Sequence, residues 1–252
     1  MEKLAKAMET RGFLISHTPD SIYFRQGNTR DELHLMERMF KEIGCDVEIK
    51  GRNIRIRKPL TEKQVQRIIW YPARNHEAGA DYRSDSWKYF AKRRHGAKVN
   101  TFVLETGVAL LVKALSSAGI STFCSCDGHG KRSPSIIFSG HKQAIWFDLL
   151  FPEIKKALEL NYKWEINWKS RMGPSLMADK ISESQKWNLP EILEDTMKIA
   201  HFILENAEEL STRKRGIFGK RLKATRKIVK TMSDEELYMW MSKKYNQHQN
   251  IV

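Results

Sequence analysis

Residues 119–140 read Gly-Ile-Ser-Thr-Phe-Cys-Ser-Cys-Asp-Gly-His-Gly-Lys-Arg-Ser-Pro-Ser-Ile-Ile-Phe-Ser-Gly, a polar segment between two apolar runs. The runs at 120–123 and 136–138 predict the two strands of a β-hairpin. A two-residue turn is enough to close a hairpin. The connection here instead carries two thiols, a carboxylate, an imidazole, two glycines and two cations within nine residues. This loop is therefore the first candidate for a functional site.

The segments on either side of the hairpin predict a mixture of helices and strands. Residues 105–118 form a strongly apolar run that predicts a helix ended by Gly119. Residues 141–160 predict a second helix, which Pro152 kinks or divides. Residues 162–168 alternate between polar and apolar side chains, as a strand with one buried face does.

A similar order of elements occurs earlier in the chain. Residues 31–57 predict a helix, then Gly44, then a hairpin with isoleucine and valine on one face and arginine on the other. Residues 105–139 repeat this order, with Gly119 in the place of Gly44. The predicted fold is therefore α+β, with an αββ-type core of antiparallel hairpins, a helical C-terminal region and, as one interpretation, an internal duplication.

These patterns divide the chain into four regions. We predict an N-terminal αββ region over 1–70, a long connection over 71–100, a central α/β region with the Cys/His loop over 101–170, and a helical C-terminal region over 171–252. Residues 170–188, rich in Ser, Gly, Pro and charged side chains, predict a linker or an irregular excursion.

The first hypothesis for the loop is a metal site. Cys124, Cys126 and His129 supply two thiolates and an imidazole, with Asp127 beside them, and this donor set suits zinc or another late divalent ion. The spacing is unusual, because structural zinc sites use Cys-x₂₋₄-Cys pairs and Cys-x-Cys on a strand directs both thiols to one face. The chain has one further thiol, Cys45.

Three other interpretations of the same loop stay open. Its glycines free backbone N–H groups for an anion, and Lys131 and Arg132 add positive charge, which favours contact with phosphate or a nucleotide. Asp127 and His129 are also candidates for the acid and base of a hydrolase or nuclease. In the purely structural interpretation, the thiols are small strand residues and the loop is an ordinary polar turn.

The charge distribution points to an acidic or polyanionic partner. The chain holds 44 Lys or Arg and 30 Asp or Glu, a formal net charge of +14. Nine of the cations, and no acid, lie between residues 211 and 232. This segment predicts phosphate contacts with nucleic acid, with a solvated helix face as the alternative. Its candidate residues are Arg213, Lys214, Arg215, Lys220, Arg221, Lys223, Arg226 and Lys227.

Composition argues against membrane and secreted classes. The longest mainly apolar stretch, 108–115, is far shorter than the ~20 residues that a membrane span requires. The N-terminal residues are charged and lack the apolar core of a signal peptide. Three cysteines argue against a secreted disulfide framework. We therefore expect a cytoplasmic protein.

The string from Leu110 to Gly140 resembles uncharacterised proteins of bacteriophage and prophage genomes. The resemblance rests on a helix, Gly-Ile-x-Thr, Ser-Cys-Asp-Gly-His-Gly and Ile-x-Phe-x-Gly in succession. It implies no particular activity. It does imply a mobile genetic element as the setting, and hence the cytoplasm of the host cell, where small basic proteins act on nucleic acid or on host defence complexes.

Three functions follow as expectations. The first is a basic phage-type protein that binds nucleic acid through cationic surfaces without catalysis. The second is a phage inhibitor that occludes a host defence complex, of the kind known against Gabija defence, and a homo-oligomer is compatible with it. The third is a metal-dependent nuclease or nucleotide hydrolase that uses the loop from Cys124 to His129.

Overall fold

The computed structural model describes residues 1–25, 27–29, 31–73, 99–218, 229 and 231–249. Its first unit has the element order αββαββα. The elements of this unit are α1 (Glu2–Arg11), β1 (Ile15–His17), β2 (Ile22–Phe24), α2 (Asp31–Ile43), β3 (Val47–Lys50), β4 (Asn53–Ile56) and α3 (Glu62–Ile69).

The second unit repeats the order αββαββα. Its elements are α4 (Thr106–Ser117), β5 (Thr122–Cys126), β6 (Ser135–Phe138), α5 (His141–Ala157), β7 (Lys163–Asn167), β8 (Ser175–Asp179) and α6 (Leu189–Glu205). The helices α7 (Ala207–Phe218) and α8 (Asp234–Gln249) follow in the described part of the chain. The prediction of an α+β fold with a helical C-terminal region is confirmed.

Each unit contains one antiparallel four-stranded sheet, and the two sheets have the same strand order. The orders are β1-β2-β4-β3 and β5-β6-β8-β7. In each sheet the two hairpins join through their second strands, β2 with β4 and β6 with β8. Each unit is therefore two αββ segments placed side by side. The two stretches predicted to be similar are two of these segments. Residues 31–57 form the second αββ segment of the first unit, and residues 105–139 form the first αββ segment of the second unit.

Three of the four αββ segments end their helix with the same glycine motif. Gly12, Gly44 and Gly119 have φ angles of 108°, 78° and 75°. In each case the glycine N–H bonds to a carbonyl three residues earlier and the next N–H to a carbonyl five residues earlier, which is the Schellman motif. This left-handed conformation favours glycine, so the glycine that ends each of these helices can be recognised in the sequence.

The two units meet through their first helices. α1 packs against α4. Gly12 lies so close to α4 that a Cβ added to it would stand 2.5 Å from the Cβ of Ala109. A buried ion pair also crosses this interface, because Lys113 of α4 lies with its Nζ 2.7 Å from Glu32 Oε1 of α2. The interface therefore combines close helix contact with a buried charge pair.

The prediction of a linker or an irregular excursion at residues 170–188 is corrected by the structure. It contains β8, an inner strand that pairs with both β6 and β7, so the boundary predicted at residue 170 falls inside the second sheet. Leu176 and Ala178 of this strand are buried in the core of the second unit. The strand is short, and the neighbours that bury these two side chains belong to other elements of the unit, which a local pattern does not show.

The C-terminal helices pack on the second unit. Leu210 of α7 and Met241 and Tyr245 of α8 belong to its buried core. Within the described residues, no helix combines the length and the apolar character needed to cross a membrane. Most of the predicted connection at 71–100 and much of the basic segment after α7 lie outside the described residues.

Candidate metal centre

The loop between β5 and β6 folds back onto the start of α4. The carboxylate of Asp127, 4% exposed, accepts a hydrogen bond from the Gly107 N–H through Oδ2 at 3.2 Å. The backbone N–H of Asp127 donates to Glu105 Oε2 at 2.7 Å. A carboxylate at the start of a helix satisfies a free backbone donor and interacts favourably with the helix dipole. These bonds attach the loop to α4.

Gly107 makes this attachment possible because it has no side chain. A Cβ added to Gly107 would stand 2.6 Å from the Asp127 Cβ and 3.0 Å from Asp127 Oδ2. Either contact is closer than non-bonded atoms normally approach, so a side chain here would displace the loop. Glu105 and Gly107 therefore form the helix side of the site.

Three potential metal ligands converge beside Asp127. His129 Nε2 lies 3.3 Å from Glu105 Oε1 and 3.8 Å from Cys126 Sγ. Ligand atoms of these three residues and of Asp127 all lie within 4.8 Å of one another. A tetrahedral zinc ion, with bonds of about 2.0–2.3 Å to N, O and S, holds its ligand atoms roughly 3.3–3.6 Å apart. The two distances from His129 are therefore close to those that a zinc ion requires.

Asp127 lies on the other side of the imidazole. Its Oδ1 is 3.4 Å from His129 Nδ1 and accepts the backbone N–H of His129 at 3.0 Å. Metal-binding histidines commonly donate their second ring N–H to a carboxylate, which fixes the tautomer and the orientation of the ring. Asp127 is thus placed to orient His129 while Nε2 faces the other two donors.

The backbone of the loop is held in an uncommon conformation. His129 has a φ of 54° and is, among the described residues, the only one other than glycine with a positive φ. Gly128 and Gly130 on either side of it have φ angles of 74° and 66°. A left-handed backbone at a side chain of this size is costly and is found most often at functional sites. The residue with this backbone conformation is the one whose imidazole lies beside Glu105 and Cys126.

The sulfur of Cys126 is surrounded by hydrogen-bond donors. The Gly128 N–H and Arg132 Nη2 each approach Sγ at 3.4 Å. The bond to Cys126 raises the pKa of Arg132 above its usual value. The thiolate is the form of cysteine that binds metals and acts as a nucleophile.

The same atoms also have the order of a nucleophile–base–carboxylate triad, Cys126–His129–Asp127. Glu105 favours the metal interpretation. Its Oε1 is closer to His129 Nε2 than the sulfur is, so the nitrogen that a triad would direct at the thiol faces a carboxylate as well. A cation at this point would neutralise the thiolate and Glu105 together.

The sequence identified most of this cluster. Cys126, Asp127 and His129 belong to it. Cys124 does not: it is exposed on β5, and residues two apart on a strand are separated by roughly 6.6 Å, so the two thiols do not converge. Glu105 was missed because its contact joins residues 22 apart in the chain. The sequence feature that could have indicated Glu105 is its position immediately before an apolar helix.

The two groups of predicted cations have different surroundings. Lys131 and Arg132 are exposed in the loop itself. Arg213 of α7 instead donates to Glu153 and Glu209. Arg215 bonds to protein oxygens of its own helix. Lys220, Arg221, Lys223, Arg226 and Lys227 lie outside the described residues. A nucleic-acid role for these cations stays a prediction.

Lys214 has partners within the protein that the sequence did not indicate. Its Nζ donates to the Gly119 carbonyl at 2.6 Å and to Gln143 Oε1 at 2.7 Å. Desolvation of the amine, with a smaller contribution from Lys142, lowers the pKa of Lys214 from 10.5 to about 7. Lys214 therefore caps the end of the first αββ helix of the second unit.

We expect the free energy of unfolding to rise more steeply with pH in the wild type than in Lys214→Met. Between the lowered pKa of about 7 and the ordinary value of 10.5, the unfolded chain holds a proton that the folded chain does not. Raising the pH through this window therefore favours the folded state. Urea unfolding of both proteins from about pH 6 to about pH 9 measures the difference. Parallel profiles above about pH 7 would show that the amine is not desolvated.

The chain matches no protein-family model, no curated protein and no solved structure. The fold and the site therefore define the class of protein by themselves. It is a two-unit α+β protein in which one hairpin turn is expanded into a Cys/His/carboxylate centre.

Proposed function

We propose that Glu105, Cys126 and His129 bind one divalent ion of the zinc class, and that the protein is a metal-dependent hydrolase of phosphate esters. The observation that carries this proposal is the convergence of a carboxylate, a thiol and an imidazole, whose donor atoms lie within 4.8 Å of one another. The position of Asp127 behind the imidazole supports it, because this is where a metal-binding histidine needs a partner.

The number of ligands favours catalysis over a purely structural ion. Structural zinc sites use four protein ligands, whereas catalytic sites use three and leave the fourth position to water or substrate. Here three residues direct donor atoms at one another, and Asp127 is engaged with His129 and Gly107. The His129 side chain is 57% exposed, so water or a substrate could reach the cluster and would supply the remaining ligand.

The surroundings of the centre favour an anionic substrate. A zinc ion lowers the pKa of its bound water to about 7 and polarises an ester oxygen, which together allow hydrolysis near neutral pH. Lys131 and Arg132 are exposed next to the ligands and supply positive charge where a phosphate would approach. The net charge of +14 makes an anionic substrate more favourable than a cationic one.

Elemental analysis of the purified protein tests the metal centre. We expect about one zinc ion per chain. Cys126→Ser and His129→Ala should each lose the ion, because each removes a ligand. Cys124→Ser is the matched control, since it removes a thiol from the same strand without changing the cluster, and it should keep the ion. A Cys126→Ser protein with a full complement of metal would contradict the proposed centre.

Hydrolysis of bis(p-nitrophenyl) phosphate, a small phosphodiester, tests the activity. The zinc-loaded wild type should hydrolyse it, a chelator should abolish hydrolysis, and Glu105→Gln should greatly reduce it. Cys124→Ser should behave as the wild type. A protein that binds zinc but shows no chelator-sensitive hydrolysis would have a structural ion, and the hydrolase proposal would be overturned.

A further inference from the structure

The β3–β4 hairpin concentrates positive charge in the first unit. Residues 50–58 read Lys-Gly-Arg-Asn-Ile-Arg-Ile-Arg-Lys and contain five cations and no acid. They form the end of β3, the turn, β4 and the two residues after it. Since β4 lies between β2 and β3 in the sheet, its side chains stand in the interior of the sheet surface and not at an edge.

The strand register separates an apolar face from a polar face. Ile22 of β2 is aligned with Ile54 of β4, and both are fully buried. Side chains alternate along each strand, so the adjacent row lies on the opposite face. That row contains Tyr23, Asn53 and Lys50, which are aligned across three strands. We call this polar surface of the first sheet the outer face.

The outer face is positively charged. Arg55 lies two residues after Asn53 and is aligned with Glu48, and Arg57 follows on the same side. Glu48 Oε1 is 2.8 Å from Lys50 Nζ, and Glu48 Oε2 is 3.9 Å from Arg57 Nη2. These cations, Lys50 foremost, lower the pKa of Glu48. Three cations around one ionised carboxylate leave this part of the face with net positive charge.

An aromatic side chain stands among these polar groups. Tyr23 is 41% exposed and lies on an inner strand. It is aligned with Ser16 on one side and Asn53 on the other. Both neighbours are smaller than the ring. Proteins hold single-stranded nucleic acid by stacking bases on exposed aromatic rings and by contacting the phosphates with cations, and four-stranded sheets with exposed aromatics bind unpaired bases in this way.

We propose that the outer face binds single-stranded nucleic acid, with one base stacked on Tyr23 and the phosphates contacted by Lys50, Arg55 and Arg57. This proposal rests on the proposed function in one respect: it identifies the phosphodiester that the metal centre hydrolyses as that of a nucleic-acid strand. A single strand is favoured over a duplex because a base stacks on a protein ring only when it is unpaired.

Fluorescence anisotropy with a labelled strand of about 12 nucleotides tests the surface, since single-strand sites span roughly 4–16 nucleotides. The probes are DNA and RNA strands of one mixed sequence and the corresponding duplex, all in chelator so that no probe is cleaved. We expect Tyr23→Ala to weaken strand binding about tenfold. Arg55→Ala should also weaken it and should reduce the salt dependence by about 0.7 in the log–log slope. Lys41→Ala, an exposed cation on α2, is the control and should bind as the wild type.

Two results would overturn the proposal. One is equal affinity in Tyr23→Ala and Lys41→Ala, and the other is tighter binding of the duplex than of the strand. The chelator makes these outcomes independent of the metal centre. A protein without zinc whose strand affinity still depends on Tyr23 would overturn the proposed hydrolase and keep the strand-binding face. A zinc enzyme that hydrolyses the small phosphodiester, but neither binds nor cleaves the strand, would overturn the strand-binding face and keep the proposed hydrolase.

Discussion

Lys113→Met is expected to lower the free energy of unfolding by about 3–5 kcal/mol, the cost of leaving one partner of a buried ion pair without the other. The side chains of Lys113 and Glu32 are 1% and 0% exposed. Without the ammonium group, the Glu32 carboxylate would stay buried and would keep the backbone N–H groups of Thr29 and Thr101 and its electrostatic interaction with the buried Arg11. Urea unfolding monitored by circular dichroism measures the change through the shift of the midpoint.

The reason for so large an effect is the number of groups that Lys113 joins. Its Nζ donates to Glu32 Oε1, to Asn28 Oδ1 and to Thr101 Oγ1, at 2.6–2.7 Å. Glu32 and Asn28 belong to the first unit, whereas Lys113 belongs to the second. The interaction therefore stabilises the contact between the units and not only one of them.

A surface pair in the same protein provides the control for this prediction. Lys3 and Glu62 also form an ion pair, but their side chains are 69% and 73% exposed. Lys3→Met should therefore change the free energy of unfolding by about 1 kcal/mol or less. The double variant Lys113→Met with Glu32→Gln should recover part of the loss, because it removes the buried carboxylate charge that has lost its ammonium partner. Similar effects of Lys113→Met and Lys3→Met would show that the Lys113 pair is accessible to water.

The parts of the fold that local patterns encode could be predicted from the sequence. The helix that ends at Gly44 and the hairpin at 47–56 have clear periodicity and a turn residue in the expected place. The helix before Gly119 and the hairpin around the Cys/His loop are equally clear. These elements were sufficient to predict an α+β fold, because each is determined by neighbours within its own segment.

The features that could not be predicted depend on contacts between distant segments. β8 is recognisable only from its pairing with β6 and β7. Glu105 joins the cluster because the loop returns to the start of α4, and no local pattern records that return. The same holds for Lys214, which in the sequence belongs to a run of cations but in the structure donates to the carbonyl of Gly119, just after the end of α4. Charge in a sequence therefore does not show which cations are available to a ligand.

The two units have the same strand order, so the connections of their hairpins can be compared. The corresponding connection in the first unit, between β1 and β2, needs only residues 18–21. The β3–β4 connection needs only Gly51 and Arg52. The β5–β6 connection spans 127–134 and includes a 3₁₀ turn that the scaffold does not require for pairing. The β7–β8 connection, 168–174, is nearly as long, so length alone does not set the β5–β6 loop apart. What distinguishes this loop is that a thiol, an imidazole and two carboxylates meet there.

The second large effect concerns the contact between the first helices of the two units. Gly12→Ala is expected to lower the free energy of unfolding by about 3 kcal/mol, from about 1–2 kcal/mol of left-handed backbone strain and about 1–3 kcal/mol of overpacking. The overpacking arises because the added Cβ would meet the Cβ of Ala109 at 2.5 Å and two backbone atoms of α4 at 3.2 Å. Urea unfolding again provides the measurement.

Gly44→Ala separates these two contributions. Gly44 ends α2 in the same Schellman motif, but a Cβ added to it would have nothing within 4 Å. Gly44→Ala should therefore show the backbone strain alone, about 1–2 kcal/mol. Adding Ala109→Gly to Gly12→Ala should give a favourable coupling energy, because it removes one of the colliding atoms. Equal losses for Gly12→Ala and Gly44→Ala, with no coupling to Ala109, would mean that α1 and α4 do not approach this closely, and the arrangement of the two units would have to be revised.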